Sequence, residues 1–102
     1  MAYNRIHAQR LCDPAEYDVF VGSLSDTIAT LTAVQLRAKV NRARILRNKF
    51  ADALKPQAGS VPKPPGAAAS PTEQKLAMFE EALKRFETRL EKLEAISGAT
   101  TA

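Results

Sequence analysis

The residues best suited to a chemical role in this chain are cations gathered in one short segment. Residues 32–55 contain seven basic residues and one acidic residue, whereas residues 1–31 contain two basic and four acidic residues. Lys and Arg neutralise phosphates and release counterions from a polyanion, and Arg can also hydrogen-bond base edges. The segment therefore predicts nucleic-acid binding through the phosphate backbone. The candidate binding residues are Arg37, Arg42, Arg44, Arg47 and Lys49.

The arrangement of these cations leaves a second class of partner open. At about 100° per residue, Arg37 and Arg44 fall on one side of a helix, and Arg42 and Lys49 fall on another. A merely solvated helix has the same appearance. An adaptor, inhibitor or assembly factor that presents a basic helix to an acidic protein surface accounts for the charge equally well. Nucleic acid is the preferred prediction, and a protein partner is the alternative.

Signatures of catalysis and metal binding are missing from the sequence. His7 and Cys12 are the only residues of their types, so a zinc site would need carboxylates at no recognisable spacing. The chain has no Gly-rich phosphate loop. Paired carboxylates such as Glu80 and Glu81 are typical of solvated helix faces. We therefore expect a protein that is not an enzyme and that holds neither a cofactor nor a metal.

Composition and length are those of one small globular unit. Hydrophobic residues make up 45% and charged residues 25% of the 102 residues, which argues against wholesale disorder. A single cysteine cannot form an internal disulfide, and this favours a reducing compartment. The first ten residues hold no apolar run typical of a signal peptide, and no stretch has the length of a membrane span. The prediction is a cytoplasmic protein without membrane contact.

The clearest structural pattern lies near the C-terminus. Apolar residues recur there in steps of three and four, which is a heptad seam on one face of a coiled-coil-like helix. Ser70 and Glu73 form a capping box before it, and Ser97-Gly98 predicts its end. We expect a helix over 72–97 and a tail over 98–102. The predicted helix-packing residues are Leu76, Phe79, Leu83, Phe86, Leu90 and Leu93.

The preceding part of the chain divides into a helical region, 1–55, and a linker, 56–71. Capping boxes at Asp13 and Thr32 predict helix starts, with a break near Gly22 or Leu31. The basic helix is expected over about 33–55. The linker holds five of the six prolines. The apolar stripe of the basic helix is predicted to comprise Leu36, Val40, Ala43, Phe50 and Leu54, with Arg47 at its edge in the layer between Ala43 and Phe50. A second, smaller apolar contact with the N-terminal helix is predicted on the opposite side, through Val34, Ala38 and Ile45.

Two ways of burying the heptad seam follow from these patterns. In the first, the C-terminal helices of two chains form a parallel coiled coil, with Lys75 opposite Glu80 and Arg89 opposite Glu94. In the second, the seam folds back on the basic helix as an antiparallel hairpin, with residues 14–31 as a third layer. We favour the second. The predicted fold class is all-α, a helical hairpin or small antiparallel three-helix bundle, and a homodimer of it would bury additional surface.

Overall fold

The computed structural model describes residues 3–55 and 70–101, with side chains described as far as residue 96. This part of the chain is helical and contains no strand, so the all-α prediction is confirmed. Most of the predicted linker, residues 56–69, lies outside the described residues. The helices are α1 (Arg5–Leu11), α2 (Pro14–Gly22), α3 (Ser25–Ile28), α4 (Ala33–Ala53) and α5 (Pro71–Thr101).

Reciprocal capping boxes start four of these helices. In each box the side chain of the N-cap residue accepts a hydrogen bond from the backbone N–H of the residue three positions later. The side chain of that later residue accepts one from the backbone N–H of the N-cap residue. Three of the boxes were predicted from sequence, and the one at Asn4 was not. The reciprocal partner of Asn4 is a histidine, whereas the capping-box sequence pattern specifies Glu or Gln at that position. The pairs are Asn4 with His7, Asp13 with Glu16, Thr32 with Gln35 and Ser70 with Glu73.

Two helix ends differ from the predicted ones. Helix α5 continues to Thr101, past the expected end at Ser97-Gly98 and through most of the expected tail 98–102. A glycine inside a helix costs only about 1 kcal/mol relative to Ala, so it does not by itself end one. Helix α4 ends at Ala53, with Leu54 as its C-cap. The predicted break near Gly22 is present, and the short helices α2 and α3 lie on either side of it.

Helices α4 and α5 form an antiparallel hairpin. Arg37 lies opposite Glu94, and Arg44 lies opposite Glu87, so position along α4 rises as position along α5 falls. Helix α2 packs across both as a third layer, and α1 packs against α2. Phe79 is the common contact, because its ring stacks on Phe50 at 5.7 Å and meets Phe20 edge-on at 6.4 Å.

The third layer widens the apolar faces of both long helices. The apolar stripe of α4 needs a core residue between Ala43 and Phe50, and Leu46, which is 4% exposed, occupies that layer. Arg47, the residue that the spacing placed there, is half-buried. In α5, Met78 and Ala82 are fully buried beside the heptad residues. A face that meets two neighbours must be broader than a two-helix seam, which explains these additions. Of the heptad residues, Phe79, Leu83 and Phe86 are buried, and Leu76, Leu90 and Leu93 are partly buried against the core.

Candidate nucleic-acid interface

The structure separates the five predicted binding residues into three settings. Four of them, Arg37, Arg42, Arg44 and Lys49, are exposed on α4. Arg47 is half-buried beside the hairpin core, and its Nε donates to Asn48 Oδ1 at 3.1 Å. The exposed cations occupy opposite flanks of α4, about 140° apart around the helix axis. They therefore do not form a single basic stripe.

The flank that faces α5 is partly neutralised. Arg37 Nη2 lies 3.8 Å from Glu94 Oε2, and Arg44 Nη2 lies 3.7 Å from Glu87 Oε2. All four side chains are about half exposed, and ion pairs of this kind contribute at most about 1 kcal/mol. A phosphate can compete for either guanidinium at little cost. These two arginines are available to a polyanion, but they start from a paired state.

The other flank carries Arg42 and Lys49. Within the described residues, no carboxylate lies within ion-pair distance of either side chain. Lys49 Nζ lies 5.8 Å from the centroid of the Phe50 ring, so its stem follows the helix surface and its ammonium stays in solvent. Exposed Asn41 and Asn48 lie between the two flanks and add amide donors and acceptors.

The outward face of α4 is also apolar in places. Val34 is 72% exposed and Ile45 is 58% exposed. The predicted contact between this side of the helix and the N-terminal helix is therefore wrong. Helix α1 packs against α2 instead, and only Cys12 and Asp13 separate the two helices along the chain.

A second basic surface was missed by the reasoning from sequence. It lines a cleft between α5 and the segment Ser23–Ile28. The total charge of residues 72–102 is slightly acidic, so counting charge by segment conceals this local excess. Plotting α5 as a helix would have exposed it, because the other three cations lie one, five and eight residues after the first and so fall on one side of the helix. They are Lys84, Arg85, Arg89 and Lys92.

Metal ligands and reactive groups are sparse in the described residues. No group of three or more His, Cys, Asp or Glu residues there could hold a metal ion. Cys12 is a free, half-buried thiol. Burial, together with the nearby Glu16 carboxylate, raises the pKa of this thiol from 9.0 to about 11. At neutral pH it is protonated and weakly nucleophilic. No described helix is long and apolar enough to cross a membrane.

Comparison with protein-family models, with curated proteins and with solved structures finds no match to this chain. Functional inference therefore starts from the charges and surfaces described above. Two surfaces have the chemistry to bind a partner: the exposed flanks of α4 and the basic cleft on α5.

Proposed function

We propose that this protein is a non-enzymatic helical protein that binds the phosphate backbone of nucleic acid through α4. The observation that carries the proposal is the flank formed by Arg42 and Lys49. Both side chains are exposed, and neither is paired with a carboxylate of the described residues. They lie seven residues apart, about 10 Å along the helix axis, so they can contact separate phosphates.

The five cations are expected to contribute unequally to phosphate binding, because some of them are already paired with carboxylates. Arg42 and Lys49 contact phosphates directly. Arg37 and Arg44 join when phosphate replaces Glu94 and Glu87, and exchange of such exposed pairs costs little. Arg47 is half-buried and is the least accessible of the five. The expected order of importance for binding is therefore Arg42 and Lys49 first, Arg37 and Arg44 next, and Arg47 last.

Fluorescence anisotropy tests this proposal with labelled duplex DNA, single-stranded DNA and RNA, from low to physiological salt. The double variant Arg42→Gln/Lys49→Gln should weaken binding and reduce the slope of log affinity against log salt by about 2, one unit for each lost phosphate contact. Sedimentation of the free protein, which also tests the predicted homodimer, provides the stoichiometry for the fits.

The matched control removes the same charge from the other basic surface. Lys84→Gln/Lys92→Gln lowers the net charge equally but changes only α5. It should leave affinity and salt slope close to those of the unmodified protein. Equal weakening by both double variants would mean generic attraction to a basic protein. Absence of binding in low salt would overturn the proposal.

Exposed Val34 and Ile45 favour a second candidate, docking of α4 on an acidic protein surface. The two residues lie on the outward face about three helical turns apart. Apolar anchors flanked by cations are typical of a helix that binds a groove in a partner. A copurified partner that is lost from Val34→Ser/Ile45→Ser, but retained by Arg42→Gln/Lys49→Gln, would support docking over nucleic-acid binding.

A further inference from the structure

The basic cleft on α5 is an open groove with the volume of a small-molecule site. Its volume is about 540 Å³, within the range of ordinary ligand pockets, which is about 300 to 1,000 Å³. One wall is α5, and the other is the segment from Ser23 to Ile28. Arg85, Arg89 and Lys92 lie on the far side of α5 from Glu87 and Glu94, whose carboxylates reach α4. The cleft and the outward flank of Arg42 and Lys49 are therefore separate surfaces.

Arg85 is held in place at one end of the cleft. Its Nη1 donates to Ser23 Oγ at 3.4 Å, and its Nη2 lies 3.5 Å from Glu81 Oε2. The guanidinium carbon also lies 5.9 Å from the centroid of the Phe20 ring. Glu81 is thus occupied by Arg85, and it also accepts at 3.5 Å from the backbone N–H of Tyr3. Its single negative charge offsets only one of the four cations that line the cleft.

The remaining cations of the cleft have no such partners among the described residues. Arg89 Nε is excluded from solvent and makes no hydrogen bond there. Lys84 and Lys92 have no carboxylate of the described chain within ion-pair distance. Arg85 and Arg89 are four residues apart on one helix, and like charges at that spacing repel. The cleft is lined by four cationic side chains and one carboxylate, so it carries an excess of positive charge that a bound anion would neutralise.

We propose that this cleft binds a phosphate monoester of a small organic molecule. A phosphate carries close to two negative charges and three acceptor oxygens, which suits a guanidinium fork flanked by ammonium groups. The hydroxyls of Ser25 and Thr88 also line the cleft and can donate to phosphate oxygens. Ile28 and the aliphatic stems of Lys84 and Lys92 provide an apolar wall for the organic part.

A titration followed by backbone amide NMR shifts tests the assignment. The probes are inorganic phosphate and phenyl phosphate, added at constant ionic strength with sodium chloride as the balancing salt. Shift changes should be confined to residues 23–28 and 84–92. Phenyl phosphate should bind more tightly than inorganic phosphate, because its ring contacts the apolar wall. Arg89→Gln should weaken phenyl phosphate binding by about tenfold or more, since a charged hydrogen bond is lost.

Arg10→Gln is the matched control, because it removes one arginine charge from an exposed position on α1, outside both proposed binding surfaces. It should leave phenyl phosphate affinity unchanged, and circular dichroism should show native helicity in both variants. Shift changes spread evenly over α4 and α5, or equal weakening by the two variants, would overturn the site. Binding to the cleft alone, without nucleic-acid binding by α4, would sustain this inference while refuting the proposed function.

Discussion

The two halves of α5 carry the same heptad pattern but have different surroundings. In the N-terminal half, Met78, Phe79, Leu83 and Phe86 are buried between α4 and α2. In the C-terminal half, Leu90 and Leu93 are only partly buried, and Ile96 is 55% exposed. Periodicity therefore indicates which side of a helix turns inward, while the neighbouring helices decide how completely that side is enclosed. The enclosed half should dominate stability.

Charge substitutions in the seam should give the largest contrast between the two halves. Leu83→Asp places a carboxylate among buried side chains and should cost at least about 3 kcal/mol, a large fraction of the stability of a small domain. Leu93→Asp should cost about 1 kcal/mol, because its side chain can reach solvent. Urea unfolding followed by circular dichroism measures both. Equal costs would show that the two halves are enclosed alike.

An ion pair at the enclosed end should matter more than its exposed counterparts. Lys75 Nζ lies 3.0 Å from Glu16 Oε1, and these side chains are 22% and 5% exposed. Lys75 also lies 5.3 Å from the centroid of the Phe50 ring. Glu16→Gln should cost about 2 kcal/mol, because a largely buried ammonium loses its partner. Asp18→Asn, at an exposed site on the same helix, is the control and should change the unfolding free energy little.

The raised pKa of Cys12 should make the stability of the same enclosed end depend on pH. Its thiol is neutral in both the folded and the unfolded state well below pH 9, so it has no effect on stability there. Between 9.0, the ordinary pKa, and about 11, the folded pKa, the unfolded chain loses the proton while the folded chain retains it. Stability, measured as the free energy of unfolding, should therefore fall as pH rises through this window.

The reactivity of Cys12 provides a second test of the raised thiol pKa. Alkylation of the folded protein should be slow at pH 8, and Glu16→Gln should lower the thiol pKa and speed the reaction. An unchanged rate would contradict the assigned influence of Glu16.

The exposed pairs of the hairpin should give the smallest effects. Arg37→Gln or Arg44→Gln removes a surface pair with α5, and each should change the unfolding free energy by less than about 0.5 kcal/mol. High salt should abolish even that difference. Thermal melts at low and high salt, compared with Glu16→Gln, provide the measurement. A loss as large as that of Glu16→Gln would mean that these pairs fix the register of the hairpin.

Local signals in the sequence determined where the helices begin. Each capping box is made within four residues, so Asp13, Thr32 and Ser70 could be read without knowledge of the fold. The apolar period likewise identified the inward side of α5, but it was compatible with both a parallel coiled coil and an antiparallel hairpin. Helix ends were less certain, because a glycine such as Gly98 costs a helix only a small amount.

Only the tertiary structure decided how the faces and charges are used. Leu46 rather than position 47 fills a core layer because α2 covers that side of α4. Arg44 is paired and Arg42 is not, because Glu87 approaches only one flank. The α5 cleft exists because Ser23–Ile28 lies against a helix face that sequence alone shows as solvated. Hydrogen bonds within one turn are set by adjacent residues, whereas burial and pairing depend on residues far apart in the chain.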